Sequence, residues 1–183
     1  TPGTVIEDDL LPARAHNYLA SLGRAESQTA IAWADMSTGD FLVQEIKDDG
    51  LETMVARLDP AELIYPHDYD LPDWVTDSQI CPTEQAASLF DSTHARQALE
   101  RFYQLSSLDG LGIFSRPMLS AAGGLLGYIE ATQVGNMPRL LPLIAVNNAN
   151  YMEIDPATRR SLELSRTLTG ERWGSLLHAV DRT

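Results

Sequence analysis

Lysine occurs once in these 183 residues, at Lys47, and cysteine once, at Cys81. One cysteine allows no disulfide within the chain and suits a reducing cytosol. No Gly-x-x-x-x-Gly-Lys-Ser/Thr loop is present around the lone lysine, so the sequence offers no phosphate cradle of that type. Histidine is sparse too. His16, His67, His94 and His178 stand far apart, and none has a partner at i+4 or at zinc-like spacing. No Gly-x-Ser-x-Gly elbow marks a hydrolase nucleophile. No apolar run reaches the 18 residues or so that a membrane-crossing helix needs. The opening residues carry neither the basic stretch nor the apolar core of a secretory signal. Together these absences lead us to expect a cytoplasmic protein with no membrane partner.

What is present is a globular composition, 44% hydrophobic. A chain of this length buries roughly 70% of its unfolded surface, enough for one good domain plus part of another. The charge is uneven. Residues 1–150 hold 21 acids against 8 Lys/Arg, a balance of −13, whereas residues 151–183 hold 5 acids and 5 Arg. Gripping DNA requires neutralising phosphates, and a segment this acidic repels them over a Debye length of about 10 Å. The larger part is therefore not expected to grip DNA. The same acidity also serves solubility.

Residues 1–14 are polar and carry two prolines, which reads as a linker. The run from Asn17 to Leu22 fits a strand or a helix. Thr29 to Asp35 alternates as a strand, Met36 to Gly39 makes a turn, and Phe41 to Ile46 returns, a hairpin with Gly39 at the position needing positive φ. Leu51, Met54, Val55 and Leu58 form a helical stripe that Asp59-Pro60 stops. Leu63 to Tyr65 reads as a buried strand. Pro66 to Pro82 reads as a loop with weak strand content around Trp74 and Ile80. Thr83 or Asp91 caps a helix reaching about Tyr103, and Arg116 to Thr132 forms another, rich in small residues. Pro138 and Pro142 mark a second linker. Asp155-Pro156 is a helix start, with Leu162, Leu164 and Leu168 near one face, Gly170 as a stop, and a new apolar run from Trp173 to Val180. A three-strand meander followed by helix, strand, helix and helix gives a mixed α/β sheet with the element order of the ribonuclease H-like fold, then an α-helical segment.

Such a sheet suggests one enzyme to weigh: a metal-dependent nuclease using Asp35, with Asp40, Glu62 or Asp109 converging on shared metal ions. Against it, the nuclease carboxylate belongs on the first strand, and Asn17 to Leu22 holds no acid. Asp35, on the second strand beside a turn, matches an ordinary turn cap. Arg159 and Arg160 at a helix start suit solvation or pairing with Glu163.

An ordered set of phrases carries a resemblance across nearly the whole chain: Asn17-Tyr18-Leu19-Ala20, Asp35-Met36-Ser37-Thr38-Gly39-Asp40-Phe41, Pro60-Ala61-Glu62-Leu63-Ile64-Tyr65, Leu108-Asp109-Gly110-Leu111-Gly112, Ala121-Ala122-Gly123-Gly124-Leu125-Leu126 with Thr132-Gln133, and Ala157-Thr158-Arg159-Arg160-Ser161-Leu162-Glu163-Leu164 followed by Gly174-Ser175-Leu176-Leu177 and Asp181-Arg182-Thr183. This set resembles the MutS family of DNA mismatch-repair proteins. The resemblance implies a piece of a larger protein. Residues 1–10 would leave the mismatch-reading domain, residues 11–135 would be the ribonuclease H-like connector domain, and residues 136–183 would be a linker and the first helices of the core or lever domain. The family's Phe-x-Glu mismatch wedge does not occur here. It implies a non-catalytic segment with no cofactor of its own, in a parent that uses ATP and Mg, meets mismatched DNA through other domains, forms a homodimer and recruits MutL. The helix end at Glu130, Thr132 and Gln133 is the candidate docking edge for MutL. Its plainer alternative is that Thr132 and Gln133 satisfy the last carbonyls of the helix.

Overall fold

The computed structural model describes residues 18–47, 50–76, 78–135, 137–146, 158, 161–163, 167, 171 and 173–180. The expected linker over residues 1–10 lies outside them. So do Asp155, Pro156, Arg159, Arg160, Leu164, Leu168 and Gly170 of the expected lever helices.

Strand β1 (Tyr18–Ala25) turns back into β2 (Gln28–Asp35), and β3 (Phe41–Ile46) returns again, so the three form an antiparallel meander. Glu26 and Ser27 join β1 to β2 with φ of 53° and 65°. Two successive positive φ values match the right-handed twist of the paired strands. After helix α1 (Gly50–Leu58), β4 (Glu62–Pro66) runs parallel to β1. A short helix α2 (Asp73–Thr76) leads to β5 (Cys81–Gln85), parallel to β4. Helices α3 (Ser92–Tyr103) and α4 (Arg116–Thr132) come next, then a two-residue β6 (Ile144–Ala145) parallel to β3, and a short α5 (Leu176–Val180). The sheet is mixed and six-stranded, in the order β5-β4-β1-β2-β3-β6.

Both faces of the sheet are covered. Leu19, Ala32, Phe41, Val43 and Ile64 join α3 and α4 in one cluster, and Ala20, Leu22, Ile31, Trp33 and Leu63 join α1 and Val75 of α2 in the other. A strand buried on both faces shows no apolar–polar alternation, which is why Asn17 to Leu22 reads ambiguously in sequence. Helix α2 stands at Trp74, in place of the weak strand content expected there, and strand β5 begins inside the end of the loop expected from Pro66 to Pro82. Its residues are Cys-Pro-Thr-Glu-Gln, largely exposed, and it forms because β4 supplies a backbone template; proline is tolerated on such an edge.

Asp91, not Thr83, caps α3. Its Oδ1 accepts from the amides of His94 at 2.8 Å and Thr93 at 3.0 Å, and these bonds, the His94 amide foremost, hold the carboxyl below its usual range. Thr83 instead lies in β5 and donates to Glu62. Helix α4 lies across β1 and β2, and its buried residues run from Pro117 to Ile129 with only Gly127 interrupting. Its small residues allow close approach on two sides, to β1 at Ala121 and to Ala95 of α3 at Gly123.

Residues 137–146, within the expected linker, lie against the sheet. Leu140 and Leu143 are buried and β6 pairs with Leu42 and Val43. Farther on, Ser161 is helical, Glu163 adopts a left-handed φ of 47°, and its carbonyl accepts from the Leu176 amide at 2.8 Å. The apolar run expected from Trp173 becomes helical only at Leu176.

Candidate docking edge at the end of helix α4

The candidate edge begins where α4 leaves the core. Ile129 is fully buried, whereas Glu130, Ala131 and Thr132, the last residues of the helix, are exposed. The last carbonyls of a helix have no partner within it. Here the Thr132 hydroxyl donates to the carbonyl of Tyr128 at 2.9 Å and, at 3.3 Å, to that of Ile129, and the Gln133 amide donates to Ile129 at 2.8 Å. Thr132 is thus engaged in ending the helix, as the plainer reading expects. Glu130 forms no ion pair among the described residues and points to solvent at the same end. Val134 stands just beyond at 84% exposure, and Gly135 turns the chain with φ of 83°. Val134 is absent from the sequence-level site; only its exposure picks it out.

The four carboxylates of the nuclease alternative do not converge. Asp35 ends β2 and is 1% exposed. Its Oδ1 accepts from the amide of Ser37 at 2.8 Å, from the Ser37 hydroxyl and, at 3.4 Å, from the amide of Thr38. That is the turn-capping role of an Asp before a turn. Asp40 accepts from the Thr38 hydroxyl at 2.8 Å in the same turn. Opposite Asp35 on β1 stands Tyr18; burial, then the charges of Asp35 and Asp40, push its phenol above the usual range.

Glu62 opens β4 and is fully buried. Its Oε1 accepts from the Tyr128 hydroxyl of α4 at 2.5 Å and from the Thr83 hydroxyl of β5 at 2.7 Å. Sheet register separates it from Asp35. Asp35 lies opposite Tyr18, and Glu62 lies opposite the next residue, Leu19. Successive residues of a strand point to opposite faces, so the two carboxylates leave the sheet on opposite sides. Asp109 lies elsewhere, in the turn after α3, with Arg96 3.4 Å away. Among the described residues no group of three or more His, Cys, Asp or Glu is placed to hold a metal ion, and no helix is long and apolar enough to cross a membrane.

The geometry therefore defines a mixed α/β domain whose buried carboxylates serve turns and packing. The chain belongs to the MutS domain II family, whose match covers residues 17–141. DNA mismatch repair protein MutS of Ruegeria pomeroyi is 45% identical over 186 residues, covering 100% of this chain and 21% of that protein. The MutS proteins of Cereibacter sphaeroides and Dinoroseobacter shibae are 43% and 42% identical over 183 residues, again covering 100% of this chain and 21% of theirs. The chain thus spans about a fifth of the length of these curated relatives.

Proposed function

We propose that this segment is the non-catalytic connector of a cytoplasmic mismatch-repair protein. It links the mismatch-binding part to the ATPase part, passes conformational change between them and docks MutL. The observation that carries this reading is the match to MutS over the whole chain, with domain II at residues 17–141. The meander β1–β2–β3, with β4 and β5 added parallel to β1, supports reading the domain as ribonuclease H-like. On this reading residues 11–135 are the body of the connector, and residues 136–183 are the linker, whose stretch 137–146 lies against the connector's sheet, and the first lever helices. ATP, Mg, contact with mismatched DNA and the homodimer belong to the rest of the parent protein.

A role in transmission asks for rigid packing and an exposed polar contact, not for a catalytic group. The opposite-facing Asp35 and Glu62 support the non-catalytic part of the reading. Incubated with duplex DNA and Mn²⁺, the chain is expected to leave the duplex intact. Cleavage that disappears in Asp35→Asn would return the nuclease reading. For the docking role, Glu130→Lys and Gln133→Trp in the full-length parent are expected to weaken MutL recruitment at least severalfold while sparing mismatch binding. The check is a pull-down or surface-binding measurement with mismatched duplex. Unchanged recruitment would move the docking edge elsewhere.

A further inference from the structure

We propose that residues 137–146 form a releasable strap that fixes where the α/β unit ends. In sequence this stretch, with Pro138 and Pro142, has the look of an unstructured connection. In the fold it is held along one side of the sheet at successive points. The Leu141 amide donates to the Gly39 carbonyl at 2.8 Å, and the Val146 amide to the Val43 carbonyl at 2.8 Å. The Tyr103 hydroxyl of α3 donates to the Leu141 carbonyl at 2.7 Å. Leu140 and Leu143 insert into the cluster beneath α3 and α4. Pro142 lies exposed between them, and a proline there gives up no amide that the strap needs.

Gly39 shows how closely the strap is fitted. It has φ of 83°, and a Cβ on it would lie 2.2 Å from the carbonyl oxygen of Arg139. The β2–β3 turn is thus shaped to the strap as well as to itself. Docked, the strap also covers the open edge of β3, which would otherwise offer unpaired backbone groups.

The attachment is nonetheless shallow. β6 has two residues. Met137, Leu141 and Ile144 face outward at 36%, 40% and 56% exposure. Few buried contacts and a short ladder are the marks of a unit that opens without global unfolding. Docked, the joint to the next part of the chain lies after Val146. Released, it moves back to Gly135, and the roughly ten freed residues can extend up to about 33 Å. The strap is then a length switch between the connector and its neighbour. This use as a tether rests on the connector reading; docking and release do not.

Amide hydrogen exchange on the 183-residue chain tests docking and release directly. The Leu141 and Val146 amides are expected to exchange at a common rate, at least about tenfold slower than free amides and at least about tenfold faster than the slowest amides of β1 and β2. Leu143→Ala is expected to speed both by about thirtyfold, or up to the free-amide rate where that is reached first, and to speed the slowest β1 and β2 amides by no more than the same factor, since they open through global unfolding of the same docked state. Tyr103→Phe, which keeps the ring, should speed the same two amides by a smaller factor. Exchange at the free rate would mean no docking, and exchange matching β1 and β2 would mean no release. Different rates for the two amides, or no effect of Leu143→Ala on either, would likewise overturn the strap. None of these outcomes depends on MutL or on the parent's motion, so a failed strap and a failed connector are separable.

Discussion

Gly23→Ala is expected to destabilise the chain by about 3 kcal/mol or more, and to lower the melting temperature by roughly 6–12 °C. Gly23 sits on β1, opposite Ala30 of β2, where the strand passes under α4. A Cβ placed there would lie 2.1 Å from the backbone nitrogen of Ala121 and 2.6 Å from its Cα. These are main-chain atoms, so no side-chain rotation relieves the contact. The strand is held on both sides by β2 and β4, and α4 is clasped by the sheet below and α3 beside it. One methyl would have to push two backbones apart and open a void along the rest of the interface. Gly110→Ala is the matched control. It has no atom within 4 Å of the new methyl and no positive φ, so its melting temperature should stay close to that of the parent. A loss below about 1 kcal/mol for Gly23→Ala, measured by thermal or urea unfolding, would show that α4 can slide away from β1.

How much of the fold is legible in the sequence depends on where each signal resides. The β2–β3 hairpin, α1, β4 and α4 are readable because a turn residue, a helical stripe, a short apolar run and a run of small residues are local features. β1 is ambiguous because both of its faces are buried. β5 is invisible because its residues have poor strand character and its existence depends on β4. The strap is misread for the opposite reason: its two prolines are local loop signals, while the sockets for Leu140 and Leu143 are built by α3, α4 and the sheet. The candidate docking edge is legible only as a polar helix end. The use of the Thr132 hydroxyl at the Tyr128 and Ile129 carbonyls follows the local habit of such residues at a helix end, whereas the exposure of Val134 is a consequence of how far α4 extends past the sheet, and no residue pattern encodes that. Asp35 could be assigned to its turn from sequence, but the separation of Asp35 and Glu62 onto opposite faces required the register of both to β1.

Tyr128→Phe is expected to cost about 1–3 kcal/mol, more than the loss of an exposed hydroxyl, because it takes a donor from a fully buried carboxyl group. Glu62 Oε1 gathers two hydroxyls, Tyr128 from α4 and Thr83 from β5, so a single buried atom ties a helix, its own strand and the next strand together. Polar groups buried this way are costly when partly satisfied and stabilising when complete. Adding Glu62→Met to Tyr128→Phe should therefore recover part of the loss, since the buried carboxyl group left with one donor fewer is itself removed. A double-mutant cycle in urea is the measurement, and a coupling below about 0.5 kcal/mol would mean that the two side chains merely lie near each other. The same bond bears on the docking edge. Tyr128 stands one turn before Thr132 and supplies the carbonyl that the Thr132 hydroxyl caps. Glu62 thus anchors, through one side chain, the part of α4 that carries Glu130 and Gln133 out of the core. If the connector reading holds, Tyr128→Phe in the full-length parent should weaken MutL recruitment less than Glu130→Lys does, because it loosens the support of the edge without altering its exposed groups. A larger effect from Tyr128→Phe would put the rigidity of α4, and not the chemistry of its end, in control of docking.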